Sequence, residues 1–152
     1  MATDTLLTRL GECARSATAR DMRAQQIAQH LRAARAYRWV GLYEVDFRVG
    51  MVRNIAWSGP APPCYPEFSI SNGLTGRAIR TRATINVGTI SGDPDYLTAL
   101  QTTASEVIVP ILHHGTVVGT IDVESNTANA FTYKEQELLE RVAKTIAALW
   151  NR

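Results

Sequence analysis

SEVIVPILHHGTVVGTIDVES, residues 105–125, is typical of two β-strands joined by a tight turn. Both halves are runs of β-branched and aliphatic side chains, and the short polar stretch between them favours a hairpin. Three carboxylates accompany these runs at their ends, Glu106, Asp122 and Glu124. The composition of these strands is typical of a buried core, so the acids must either face solvent at the strand ends or line a site.

The chain of 152 residues has the size of one compact domain. Its 45% hydrophobic and 20% charged residues are typical of a globular protein. Sixteen basic and fourteen acidic residues leave a net charge of +2, too small to indicate nucleic-acid binding. We recognise neither an apolar stretch of membrane-spanning length nor a signal peptide. We therefore expect a single cytoplasmic domain over residues 1–152, with no membrane and no nucleic acid as partner.

The cysteines and histidines do not form a metal-binding pattern. Cys13 and Cys64 are the only cysteines, too few for a Cys-x-x-Cys pair or a four-ligand zinc site. His113 and His114 are adjacent, and neighbouring side chains on extended backbone point to opposite faces. The sequence therefore predicts no metal site, and nothing in it indicates a cofactor.

The first half of the chain shows helical and then strand periodicity. Apolar residues at helical spacing predict a helix in two pieces over residues 4–36, with Asp21 or Thr18 as the N-cap of the second piece. Enrichment in β-branched and aromatic residues predicts strands over 38–46 and 50–57, separated by a turn.

The middle of the chain is dominated by breaker residues. Four prolines predict that residues 58–68 form a loop. A glycine turn then leads to a short helix that begins near Thr75, and a brief strand follows within residues 83–90. Residues 91–104 are expected to form a loop with one helical turn.

The closing segment predicts an amphipathic helix over residues 131–150. Thr132 stands three residues before Glu135, which is the spacing of a capping box. Hairpins at both ends of the strand series favour a largely antiparallel sheet, and the long terminal helices can cover one of its faces. The fold class is therefore α+β.

Three of these segments resemble the GAF domain family, the small sensor and ligand-binding domains of signalling proteins. The motifs SEVIVPI, VVGTIDVES and NAFTYKEQELLERVAKTIAAL occur in the family's order and cover, with the sequence between them, residues 20–150. The resemblance implies terminal helices on one sheet face and a ligand pocket under loops on the other. It also implies a GAF core over residues 19–152, with residues 1–18 as an additional N-terminal helix.

Within that family the chain is similar to the stand-alone GAF proteins that reduce free methionine-(R)-sulfoxide. Their W-hydrophobic-G-F-Y strand corresponds here to Trp39-Val40-Gly41-Leu42-Tyr43. Alternate residues of a strand share a face, so Trp39 and Tyr43 line one side with Gly41 leaving room between them. The resemblance further implies that an acidic cluster holds the ammonium group of the ligand, and its positions here are Glu106, Asp122 and Glu124.

Two cysteine positions of these reductases are occupied by other residues in this chain. Their G-V-C-G turn reads Gly73-Leu74-Thr75-Gly76, so Thr75 stands where the resemblance places the attacking cysteine. The other position precedes the S-E strand, where residues 96–104 contain no cysteine. Reduction of a sulfoxide requires a thiolate and a second thiol. The resemblance thus predicts a binding site without catalysis, unless Cys64 in the proline loop acts alone.

The register of the hairpin decides which way Glu106 faces. With a strict two-residue turn at His114-Gly115, Glu106 faces away from Asp122. One bulge, for which Pro110 is a suitable place, brings both to the same face. The sequence is consistent with either register. Asp122 and Glu124 are also consistent with a solvated strand end.

We expect Thr75 and Gly76 at the start of the short helix, where exposed amides can bind a carboxylate. Together with the acids and aromatic residues, this predicts a non-catalytic sensor of a small, amino-acid-like metabolite. A reductase that uses Cys64 alone and a dimerisation module without ligand are the alternatives. The apolar first helix predicts a homodimer through residues 4–17, unless that segment folds back along its own subunit.

Overall fold

A computed structural model of the chain describes residues 2–90 and 96–151. Its helices are α1 (Ala2–Arg15), α2 (Arg20–Arg35), α3 (Gly73–Thr81) and α4 (Tyr133–Ile146), the last continued by a 3-10 segment, Ala147–Trp150. Its strands are β1 (Trp39–Asp46), β2 (Met51–Ser58), β3 (Glu67–Ser69), β4 (Ile85–Val87), β5 (Ser105–His113) and β6 (Thr116–Ser125). The predicted helices and strands are present. The loop expected over 58–68 ends earlier than predicted, because Glu67 and Phe68 pair with β2 as part of β3. Residues 91–95 of the second expected loop lie outside the described part of the chain.

The six strands form one sheet in the order β3-β2-β1-β6-β5-β4, and every neighbouring pair is antiparallel. One face packs against α1, α2 and α4 through a large apolar core that includes Leu10, Leu31 and Leu139. The opposite face carries a second core beneath the loops, in which Trp39 and Tyr43 take part. The α+β class with terminal helices on one face is therefore confirmed.

The first helix is buried within its own chain. Leu6, Leu10 and Ala14 of α1 are at most 7% exposed, and they belong to the same core as α2 and α4. The expectation that this helix offers spare apolar surface to a second copy is therefore wrong, because its apolar face already has a partner. The homodimer stays a prediction without that support.

The helix ends differ from expectation in two places. The N-cap of α2 is Ala19, which makes no side-chain cap, so neither Asp21 nor Thr18 caps this helix. Helix α3 begins at Gly73, slightly before the expected start. At α4 the capping prediction is confirmed, because the Thr132 side chain accepts a hydrogen bond from the Glu135 amide. Within residues 2–90 and 96–151, no helix is long and apolar enough to cross a membrane.

Candidate functional site

A β-bulge in the hairpin sets the direction of Glu106. Close to the turn the register of β5 against β6 shifts by one residue, because Val118 is an extra residue of β6. The bulge lies near Pro110 but not at it, since Pro110 keeps a regular partner. Beyond the shift Glu106 lies directly opposite Glu124. The bulge required to bring these acids to one face is therefore present.

The same bulge exchanges the sheet faces on which Val117 and Val118 lie. Strict alternation along β6, counted back from Asp122, would place Val118 on the face of the acids and Val117 on the helix face. In the structure Val117 packs in the core that contains Trp39 and Tyr43, whereas Val118 packs against the core on the helix side. The extra residue reverses both, as expected for a shift of one residue in a strand.

Strand β1 brings its aromatic residues beside these carboxylates. Trp39 pairs with Glu124 and Gly41 pairs with Asp122 across the β1–β6 ladder. Because directly paired residues share a face, Trp39, Gly41, Tyr43 and the acids line the same side of the sheet. We call Glu106, Asp122 and Glu124 the acid cluster.

The acid cluster is buried. Glu106, Asp122 and Glu124 are 3%, 4% and 2% exposed. The interpretation of Asp122 and Glu124 as a solvated strand end is therefore wrong. Burial of an ionised carboxylate costs several kcal/mol of folding free energy unless hydrogen bonds or a cation compensate it. Removal of one partner from a buried ion pair destabilises a protein by about 3–5 kcal/mol. The donors around each acid therefore decide what the cluster can bind.

Glu124 receives donors from the loop that precedes β5. The backbone N–H of Ala99 donates to Oε2 at 2.7 Å, and that of Leu100 donates to Oε1 at 3.1 Å. The Thr103 hydroxyl also donates to Oε1. Burial raises the pKa of Glu124 above its ordinary value, and these three hydrogen bonds together with one to Glu106 oppose that rise.

Asp122 is held by two hydroxyl groups. Thr120 Oγ1 donates to Oδ1 at 2.8 Å, and Thr75 Oγ1 donates to Oδ2 at 3.3 Å. Burial is the main cause that raises the pKa of Asp122 from 3.8 to about 7, and the charge of Glu124 adds to it. At neutral pH this carboxyl is therefore close to its midpoint, so a bound cation would favour its ionised form.

Tyr43 faces the acid cluster. Its side chain is 3% exposed, and burial, followed by the charges of Asp122, Glu124 and Glu106, raises the pKa of its hydroxyl. The Tyr43 hydroxyl therefore stays protonated at any ordinary pH, and it provides a neutral polar group beside three acids.

Trp39 fills the space next to Gly41. A Cβ atom at Gly41 would lie 2.2 Å from the Trp39 ring, and one at Gly59 would lie 2.3 Å from it. The ring is fully buried, and its Nε1 donates to the Ala61 carbonyl at 3.0 Å. The room left by Gly41 is thus confirmed, and the Trp39 ring itself occupies it.

The start of α3 differs in detail from the expectation. The Gly76 amide donates to the Asn72 carbonyl at 2.9 Å, as the first intrahelical bond of α3. It is therefore not available to a ligand carboxylate, and the amides without an intrahelical acceptor belong to residues 73–75. A Cβ at Gly76 would lie 2.7 Å from the backbone of Ser71, so this glycine allows close packing. The Thr75 hydroxyl points to Asp122 and does not cap the helix.

Cys64 is exposed, and backbone hydrogen bonds connect its loop to the site. Its N–H donates to the Ala99 carbonyl at 2.9 Å, and the Ala99 N–H donates in turn to Glu124. Cys13 lies in α1, on the helix side of the sheet. In the part of the chain that the structure describes, no group of three His, Cys, Asp or Glu residues is arranged to hold a metal ion.

Sequence reasoning brought the three acids, the two aromatic residues and Thr75 to one face, but it missed the loop donors. Two of them, at Ala99 and Leu100, are backbone amides that leave no side-chain signal. Thr103 is an ordinary loop hydroxyl by sequence. The cavity expected between this face and the loops 58–76 and 91–104 includes residues outside the described ranges, so it stays a prediction.

A family model described as "GAF domain" matches residues 19–150 of this chain. The chain belongs to the GAF domain family. Among solved structures, the GAF domain resembles a type II free methionine-R-sulfoxide reductase from Thermoplasma acidophilum, with 28% identity and a TM-score of 0.79. That match covers 92% of this chain and 94% of the Thermoplasma acidophilum chain.

Two curated relatives match over parts of their length. GAF domain-containing protein A of Dictyostelium discoideum is 25% identical over 71% of this chain and 66% of its own length. Free methionine-R-sulfoxide reductase of Saccharomyces cerevisiae is 32% identical over 52% of this chain and 44% of its own length. The chain thus spans less than two thirds of either relative.

Proposed function

We propose that this GAF domain is a non-catalytic sensor that binds a small, amino-acid-like zwitterion. The observation that supports it most is the buried acid cluster beside Tyr43, on the sheet face opposite the terminal helices. Buried carboxyls of this kind are stabilised when a cation enters, so an ammonium group is the matching chemistry. Similarity to the reductases, whose name specifies a free amino-acid derivative, supports the same ligand class.

The other parts of the site suit the rest of such a ligand. The amides of residues 73–75 begin a helix beside Asp122, and helix starts favour carboxylates. Tyr43, which faces the acid cluster, is the aromatic residue against which an apolar side chain would pack, and the fully buried Trp39 ring supports it from the same core. A zwitterion would thus place its ammonium at Asp122 and its carboxylate at the start of α3.

A thermal-shift screen of free amino acids, both methionine sulfoxide epimers and nucleotides tests the proposal. A ligand at 100 times its Kd adds about 2.7 kcal/mol to the stability. We expect an amino acid to raise the melting temperature of the wild type but not of Asp122→Asn. Glu137→Gln, which makes the same acid-to-amide change at an exposed position of α4, is the matched control. No shift with any amino acid, or the same shift in Asp122→Asn, contradicts the proposal.

A second candidate is a free methionine-(R)-sulfoxide reductase that uses Cys64. It is favoured by the backbone link from Cys64 through Ala99 to Glu124, which places an exposed thiol on a loop beside the site. In this reaction the Cys64 thiolate attacks the sulfoxide sulfur, methionine leaves, and the oxygen remains as a Cys64 sulfenic acid. An external dithiol then reduces the sulfenic acid to the thiol and releases water.

Methionine formation from the free sulfoxide with dithiothreitol separates the two candidates. We expect no turnover at an enzyme-like rate, because both cysteine positions of the reductase pattern lack a thiol. Turnover by the wild type that disappears in Cys64→Ser would establish the reductase instead. Cys13→Ser is the control, since Cys13 lies on the opposite side of the sheet.

A further inference from the structure

We infer that Glu124 is a positioning residue: it fastens the loop around residues 99–103 over the site, and the ligand's cation is left to Asp122. The inference concerns the same site as the proposed function and rests on it for the role of Asp122. The role of Glu124 follows from the fold of the free protein.

Donors within the protein occupy most of the acceptor capacity of the Glu124 carboxylate. Its two oxygens offer about four lone-pair positions for hydrogen bonds. Ala99 N–H, Leu100 N–H and the Thr103 hydroxyl occupy three of them. The cross-strand partner of Glu124 is a second acid, Glu106, which adds no backbone donor to it. The loop therefore uses most of the acceptor capacity of Glu124 and leaves little for a ligand ammonium.

The hydrogen bonds around the two buried acids of β6 differ in origin. Glu124 accepts from two backbone N–H groups and the Thr103 hydroxyl, all in the loop before β5. Asp122 accepts from the hydroxyls of Thr75 and Thr120, and burial raises its pKa to about 7. A bound cation stabilises the ionised form of such a carboxyl, so Asp122 is the acid that a ligand ammonium would meet.

The loop bound by Glu124 contacts two other parts of the site. Ala99 and Leu100 are 4% and 7% exposed and pack with Trp39 and Tyr43. The Ala99 carbonyl also accepts from the Cys64 N–H at 2.9 Å. Release of Glu124 would therefore loosen both the loop before β5 and the proline loop that carries Cys64.

Residue-resolved amide hydrogen exchange by NMR, on the ligand-free protein, tests this role. In Glu124→Gln one acceptor oxygen is replaced by a donor, so we expect exchange at Ala99 and Leu100 to accelerate by about tenfold or more relative to the wild type, as for the loss of a charge-assisted hydrogen bond. The Cys64 amide should follow them. The Leu139 amide in α4 serves as the internal reference for global unfolding.

Two further variants keep the test decisive if Glu124→Gln fails to fold. Thr103→Val removes one donor at a half-buried position and should accelerate exchange at Leu100 and Ala99, whereas Thr103→Ser should restore the wild-type rate. Asp122→Asn should leave both amides within about twofold, because neither donates to Asp122. Acceleration in the first variant, with rescue by serine, supports the inference.

Exchange at Ala99 and Leu100 that stays unchanged in Thr103→Val and Glu124→Gln overturns the inference. Equal acceleration in Asp122→Asn overturns it as well, since the effect would then belong to the whole cluster. Neither result depends on a ligand, so failure here leaves the proposed binding of a zwitterion standing. Conversely, a negative ligand screen leaves the role of Glu124 in the free protein intact.

Discussion

Glu106 and Glu124 lie directly opposite each other on neighbouring antiparallel strands, and both are buried. Like charges in direct cross-strand pairs are destabilising, so a buried pair of this kind requires hydrogen-bond donors, a proton or a cation. The loop before β5 supplies three donors to Glu124. The third acid, Asp122, is held instead by two hydroxyl groups. This difference between the acids leads to the first prediction.

Replacement of Asp122 by asparagine should remove a pH dependence of stability. Burial raises the pKa of Asp122 from 3.8 to about 7 in the folded state, so the folded chain holds this proton more tightly than the unfolded chain. Its contribution is therefore fully present below pH 4 and is lost as the pH rises towards 7. We expect the wild type to lose stability relative to Asp122→Asn across that window, by an amount on the order of a few kcal/mol.

Urea denaturation at pH 4.5, 6 and 8 measures this difference. Glu137→Gln should follow the wild type at every pH, because Glu137 is exposed. A difference between wild type and Asp122→Asn that is constant with pH would show that Asp122 ionises normally in the folded domain.

Gly41→Ala should destabilise the domain through the Trp39 ring. The new Cβ would lie 2.2 Å from that ring, and Trp39 is fully buried, so neither group can move away freely. Overpacking of this kind typically costs about 1–3 kcal/mol. The same change in a Trp39→Phe background should cost less, because the smaller ring leaves space. Equal costs in both backgrounds, measured by chemical denaturation, would contradict this contact.

Leu10→Ala should destabilise the fold of the chain without changing its association state. Leu10 of α1 is fully buried among residues of α2 and α4, and removal of such a side chain costs about 2–5 kcal/mol. Thr8→Ala on the exposed face of the same helix should change stability by no more than about 0.5 kcal/mol. Light scattering of the same samples reports the association state. A dimeric wild type that becomes monomeric in Leu10→Ala would place α1 in an interface after all.

The sequence was sufficient for the fold because the hairpin, the aromatic strand and the capped last helix each carry a local signal. The strand pattern of residues 107–112 and the Thr132 cap are examples in which composition and spacing determine the element. The direction of Glu106 could not be predicted, because a single inserted residue, Val118, reverses a strand face without altering its composition. The packing of α1 on its own subunit depends on tertiary contacts, which helical periodicity does not predict.

The donors to Glu124 show a further limit of sequence reasoning about sites. Ala99 and Leu100 contribute through their main chain, so their side chains give no indication of the role. The acids were found because carboxylates beside buried strands are unusual. The prediction that the Gly76 amide binds a carboxylate was wrong, because this amide donates to the Asn72 carbonyl within α3. Helix α3 begins at Gly73, earlier than the glycine turn suggested.

The most direct test of the account compares each amino acid that stabilises the domain with its N-acetyl derivative, by isothermal titration calorimetry at pH 7.5. Acetylation removes the ammonium charge and leaves the carboxylate and the side chain in place. If Asp122 meets the ammonium group, the free amino acid should bind and the N-acetyl derivative should lose at least about tenfold in affinity, in line with the loss of one charge-assisted contact. Equal affinities for the two forms would contradict the claim that the acid cluster recognises a cation.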